Sequence, residues 1–222
     1  FRLWAVRPFL RWRVRREAYL GGLRELPAMV RFGLRVLPGS LSQGFTIQSA
    51  MWVLGATVPL AAVGAFSRAQ SITVKIGDLN YRLAAVIYPS LVRRAPMNDG
   101  GGFFVVGVMA SLRRTFAPLL LVLCGAAGAS HTILSLFGPD FLSATDSLAI
   151  LLIATGISTA TMILGEALTA LNRPMLTSVG LAVGLAATLA PIIPLSRAYG
   201  ATGASIAFLS GTAASTAFLF AA

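Results

Sequence analysis

Arg68, Ser71, Lys75, Asp78 and Arg82 recur every three or four residues within one short segment, and their types are those that hold ions or anionic groups. At 100° per residue, a helix places them within about a quarter turn of one another. Pro89 shares that sector. The spacing therefore predicts a polar stripe along a helix, not a loop. Asp78 lies three residues after Lys75 and four before Arg82, so it can pair with either. Arg68, Lys75 and Arg82 against Asp78 leave a positive surplus that the helix does not neutralise. Such a surplus suits a polar or anionic ligand in a hydrated cavity. The competing reading is a pairing network that locks helices together.

The surroundings of this stripe are strongly apolar. The 222-residue chain is 56% hydrophobic and 11% charged, with a mean hydropathy of +0.80. Residues 36–67, 115–139, 174–196 and 198–222 carry no charge, and residues 147–172 carry Glu166 alone. Each is long enough to cross a hydrocarbon core, which takes about 20 helical residues. Alternating strands of the barrel type are absent from the pattern. The expected fold is all-α, a polytopic membrane bundle. A charge facing hydrocarbon costs about 2.5–3.5 kcal/mol on insertion scales, so the stripe must face other helices or water.

Punctuation divides the chain. Residues 1–32 read as a basic amphipathic lead-in, broken at Gly21-Gly22 and Pro27. Residues 33–222 read as six spans: roughly 34–59, 64–91, 115–136, 142–171, 175–195 and from 201 onward. An interfacial helix over 103–114 precedes the third. The breaks are TVPLAAVG, RRAPMNDGGG, FGPDF, NRP and SRAYGATG. The chain starts at Phe1 and stops inside the apolar run STAFLFAA, and the expectation is a piece of a larger protein. No short apolar run with a small-residue cleavage site comes after the basic start, so a cleavable signal peptide is not expected.

The net charge of +11 raises nucleic-acid binding, but its distribution favours a membrane. Nine arginines lie in the first 35 residues, interleaved with Trp4, Phe9, Trp12, Tyr19 and Phe32. Arginines beside aromatic rings suit anionic phospholipid headgroups at the water boundary. A cytoplasmic lead-in also puts Arg93, Arg94, Arg113, Arg114 and Arg173 inside, leaving Arg68 and Arg197 outside. The opposite orientation would break the positive-inside rule.

Further candidates are milder. Thr155, Ser158, Thr159, Met162, Glu166 and Thr169 share one face of the fourth span. Glu166 reads either as an inner-boundary partner of Arg173 or Arg113, or as an ion-sensitive site. The first span adds Ser40, Gln43 and Gln48, with Pro38-Gly39 as a hinge. Cys124 and His131 each stand alone, so neither an internal disulfide nor a metal cluster is expected. No nucleophile constellation, phosphate loop or cofactor motif is present.

Three segments in order carry a resemblance. They are VGAFSRAQSI with the helix ending in YPSLVRR, then FGPDFLSATDSLAILLIA, then GEALTALNRPMLTSVGLAVGLAATLAPIIPLSRAYGATGASIAF. Over about residues 33–222 the chain resembles the C-terminal half of polysaccharide flippases of the multidrug/oligosaccharidyl-lipid/polysaccharide exporter superfamily. Asn172 stands where the family's inner turn usually has glycine, and Ser205 where an alanine is usual. Residues 49–51 hold no ionisable side chain, where similar proteins often carry one. The resemblance implies one six-helix lobe of a two-lobe exporter, completed by an N-terminal lobe. It implies a multi-pass protein of the bacterial inner membrane that flips lipid-linked oligosaccharides around a cationic cavity, without cofactors or catalytic residues. Lys75 and Arg82, with Asp78, Gln43 and Gln48, would then meet the anionic glycan by charge-assisted hydrogen bonds. Arg68 would meet it on exit or anchor the helix at the interface. A membrane polymerase or ligase would need a larger outer loop than these turns provide. A drug exporter of the same superfamily and a non-catalytic scaffold complete the alternatives.

Overall fold

The computed structural model describes residues 16–94, 102–171 and 173–222. Every regular element among them is helical. The order is α1 (Arg16–Thr57), α2 (Leu60–Arg94), α3 (Gly102–Gly128), the short α4 (Ser130–Ser135), a 3₁₀ turn (Pro139–Ala144), α5 (Thr145–Ala170) and α6 (Pro174–Ala221). Among the described residues, three stretches are long and apolar enough to cross a membrane: Gly107–Gly128, Pro139–Ala170 and Pro174–Ala221. The architecture is that of a helical membrane protein.

Proline and glycine set most of the ends. Pro59 lacks an N–H and disfavours a helical Val58, so α1 stops at Thr57 and α2 starts at Leu60. Pro174 opens α6, where its missing donor costs nothing. Gly138 has φ 120° and ψ 161°, a conformation that favours glycine, and Pro139 then begins the 3₁₀ turn.

Inside α6, Gly200 takes φ 57° and ψ −131° and folds the element back on itself. The two arms lie antiparallel, because Gly180 faces Leu219 and Phe218, Gly184 faces Ser215, and Gly203 faces Leu195. Small buried residues recur every four positions on both arms: Gly180, Gly184 and Thr188 on one, Gly203, Ala207, Gly211 and Ser215 on the other. A methyl group at Gly184 would come within 2.8 Å of Ser215 Cβ, and one at Gly211 would run into the Thr188 hydroxyl. Close approach through small residues is how helices associate where lipid removes the hydrophobic driving force. Pro191 leaves the Ala187 carbonyl without its usual donor. The Ser210 hydroxyl, on the returning arm, lies 3.1 Å from that oxygen and 2.8 Å from the Ala207 carbonyl, so one proton serves the two.

α6 packs against α1 and α5, and α5 also receives α3 and α2, while α1 and α2 share few contacts. Gly156 lets Leu120 and Leu123 of α3 close on α5, and Gly165 does the same for Thr177 of α6. Leu54, Phe66, Leu123, Leu134, Leu148, Leu152 and Ile192 are fully buried in the main core. Val108, Leu164, Ala167 and Leu219 form a smaller core at the other end. That second core gathers the start of α3 with the ends of α5 and α6. Gly180 brings the start of α6 against Leu219 there, and Ser178 adds the middle of α1 by bonding to the Arg35 carbonyl at 2.6 Å. Arg31, Arg35, Arg113, Arg114 and Arg173, all exposed, therefore lie towards one end of the bundle.

Two expected boundaries differ. The lead-in does not break at Gly21-Gly22 or Pro27. α1 runs through all three without interruption and continues past residue 32, and residues 1–15 lie outside the described residues. Glycine costs a helix only about 1 kcal/mol, and a helix at a membrane gains by keeping its backbone bonds internal. Likewise the expected interfacial helix over 103–114 is the first part of α3, which ends at Gly128, and α4 takes up the end of the expected third span.

Candidate functional site

α2 has two unlike sides. Phe66, Ala69 and Thr73 are buried against the bundle, and the Thr73 hydroxyl is satisfied by the Ala69 carbonyl at 2.9 Å. Ala61, Gly64, Arg68, Ser71, Lys75 and Asp78 are exposed at heptad-like spacing. Their common face is the one the spacing predicts. Lys75 Nζ and Asp78 Oδ2 are 3.9 Å apart, with the side chains 84% and 54% exposed. This is the one ion pair among the described residues. At such exposure a pair contributes about 0–1 kcal/mol. The Ser71 hydroxyl donates to the Ser67 carbonyl at 2.8 Å. The side chain of Arg82 lies outside the described residues.

Arg68 stands apart from that pair. Its guanidinium sits over the ring of Phe137, 5.1 Å from the centroid, and over Phe141 at 5.8 Å. Each such contact is worth about 0.5–1 kcal/mol at an exposed site. The rings come from the turn after α4, so the cation is held by an element far from it in sequence. Lys75 is about 10 Å further along the helix at 1.5 Å per residue.

Gln43 and Gln48 are exposed on α1. Gln48 lines a shallow open groove of about 390 Å³ with Ser40, Leu41, Gly44, Phe45, Ile47 and Trp52. Phe45 and Trp52 meet edge to face, with centroids 6.0 Å apart. The groove is mostly apolar. A bond joins α1 to α2 through Gln70, whose Nε2 donates to the Ile47 carbonyl at 3.1 Å. Sequence reasoning passed over Gln70, though it lies about 140° round the helix from Lys75 and so points off the charged side.

Glu166 is partly buried on α5 and, among the described residues, makes no ion pair with Arg113 or Arg173. The boundary pairing expected of it is not made. The hydroxyls on its face serve the helix itself: Thr155 donates to Leu151, Ser158 to Thr155, and Thr169 to Gly165 carbonyls at 2.8 Å each. Thr161 and Thr216 bond to each other at 2.6 Å, tying α5 to α6. Among the described residues, no three His, Cys, Asp or Glu side chains gather as metal ligands, and Cys124 and His131 are both exposed. No protein family, curated protein or solved structure matches the chain.

Proposed function

We propose that the chain is one lobe of a membrane transporter that moves lipid-linked anionic oligosaccharides across the bacterial inner membrane by alternating access. In this reading α1, α2, α3, α5 and the two arms of α6 are six passes, and an N-terminal lobe closes the cavity opposite α2. The observation that supports it is the exposed stripe of α2. Its opposite side packs against the bundle, yet Ser71, Lys75 and Asp78 remain uncovered on a helix of 35 residues within an apolar bundle. Such a face is costly in lipid and useful in water. Lys75 supplies charge to a diphosphate or acidic sugar, Asp78 holds Lys75 in place, and Arg82, four residues after Asp78, adds a second cation to the same helix face. The role requires no covalent step. The basic end meets anionic headgroups on the cytoplasmic side.

The test is glycan export by the intact protein. Lys75→Gln and Arg82→Gln are each expected to abolish export while membrane abundance stays near normal. Lost abundance with unchanged export per molecule would show instead that these charges only hold the fold.

A further inference from the structure

We infer that Arg68 is a positioning residue: clamped between Phe137 and Phe141, it pins α2 to the turn after α4 and so fixes the direction in which Lys75 and Asp78 face. Several observations converge on this. The guanidinium lies within 6 Å of two ring centroids, 5.1 Å and 5.8 Å away. The rings are four residues apart, and the chain between them is shaped to bring both to one cation. Gly138 takes a φ of 120°, Pro139 starts the 3₁₀ turn, and the Phe141 N–H returns to the Gly138 carbonyl at 3.3 Å. Asp140 sits in the same turn and is exposed, yet it makes no ion pair with Arg68. The cation is therefore placed by the rings, which suit a planar guanidinium better than an ammonium. Phe66 and Ala69, flanking Arg68 on α2, are fully buried, so the clamp holds the outer side of a helix whose inner side is already packed.

This separates Arg68 from the ligand-contacting set. Its consequence for transport rests on the function proposed above, whereas the clamp rests on geometry alone. The experiment accordingly measures no transport. In the full-length protein in lipid nanodiscs, Cys124→Ser removes the lone cysteine and Ser71→Cys supplies a reporter one turn from Arg68. The rate of modification by a small neutral thiol reagent is read in four backgrounds: unchanged, Arg68→Gln, Phe137→Leu with Phe141→Leu, and all three together. Each disruption is expected to change the rate by about two- to fivefold in the same direction, the range an exposed cation–π contact supports. The combined variant should change it no more than either alone, and Arg68→Lys should retain part of the effect. If the paired leucines unfold the protein, Phe141→Leu alone replaces them. Rates that multiply in the combined variant, or that stay unchanged throughout, overturn the proposal.

Discussion

In α6, Ser178, Thr188, Ser205, Ser210 and Thr216 all direct their hydroxyls to carbonyls or to another helix. In α2, Lys75 and Asp78 pair with each other at 3.9 Å, largely exposed, and with no other charged group among the described residues. In the first region Ser178, Ser210 and Thr216 repair or join helices, Thr188 and Ser205 bond within their own arms, and the buried Ser196 and Ser215 hydroxyls have no partner among the described residues. Ser210 serves the carbonyl that Pro191 strands, and Ser178 caps the Arg35 carbonyl next to the one Pro38 deprives of a donor. The second region leaves its polarity exposed among the described residues. Charged groups on a helix that could have carried leucine there are what the proposed function rests on.

The contrast breaks most severely at Gly203. A Cβ there would overlap the Leu195 carbonyl, which is backbone and has no rotamer to escape into. Gly203→Val should open the hairpin and cost about 3 kcal/mol or more, seen as a large drop in unfolding temperature and in folded yield. Wild-type stability in that variant would mean the arms do not close there. A smaller effect is expected from hydroxyl deletions across α6. Ser178→Ala and Thr161→Ala should each cost about 0.5–1.5 kcal/mol in denaturation of the purified protein, since each removes one interhelical bond. The smallest effect on stability belongs to α2. Lys75→Gln and Asp78→Asn should stay within about 0.5 kcal/mol of wild type, while export by the Lys75→Gln protein falls at least about tenfold, the loss expected for a charge-assisted contact. A stability loss at Lys75 as large as that at Ser178 would erase the distinction between the two regions.

The coherence of the α2 stripe was legible from spacing alone, because helical angles depend only on residue number. So were the breaks at Pro59, Pro174 and Gly200, since these residues act through local backbone restrictions. The small-residue seam of α6 was not read from the sequence, because glycines four apart at 180 and 184 become meaningful only once Gly200 turns the chain. Continuity through Gly21, Gly22 and Pro27 was not legible, because glycine is only a modest penalty and even the roughly 3 kcal/mol of an interior proline yields to context. The Phe137–Arg68–Phe141 clamp was hidden for a different reason. FGPDF reads as a turn, and nothing in it shows which cation its rings will meet. The missing partner of Glu166 has the same origin: matching charge and height in the membrane do not bring two side chains to one azimuth.

The central claim is that the exposed stripe of α2 faces water inside the membrane-spanning protein. Its most direct test is the reactivity of single cysteines in intact membranes, in the Cys124→Ser background, toward a membrane-impermeant thiol reagent. Ser71→Cys, Lys75→Cys and Asp78→Cys are to be compared with Leu121→Cys on α3, a position that is 76% exposed but surrounded by apolar side chains. Ready modification at 71, 75 and 78 with little at 121 is the predicted result. Stripe cysteines that react no faster than the one at 121 would place the charged side of α2 against lipid and contradict the account.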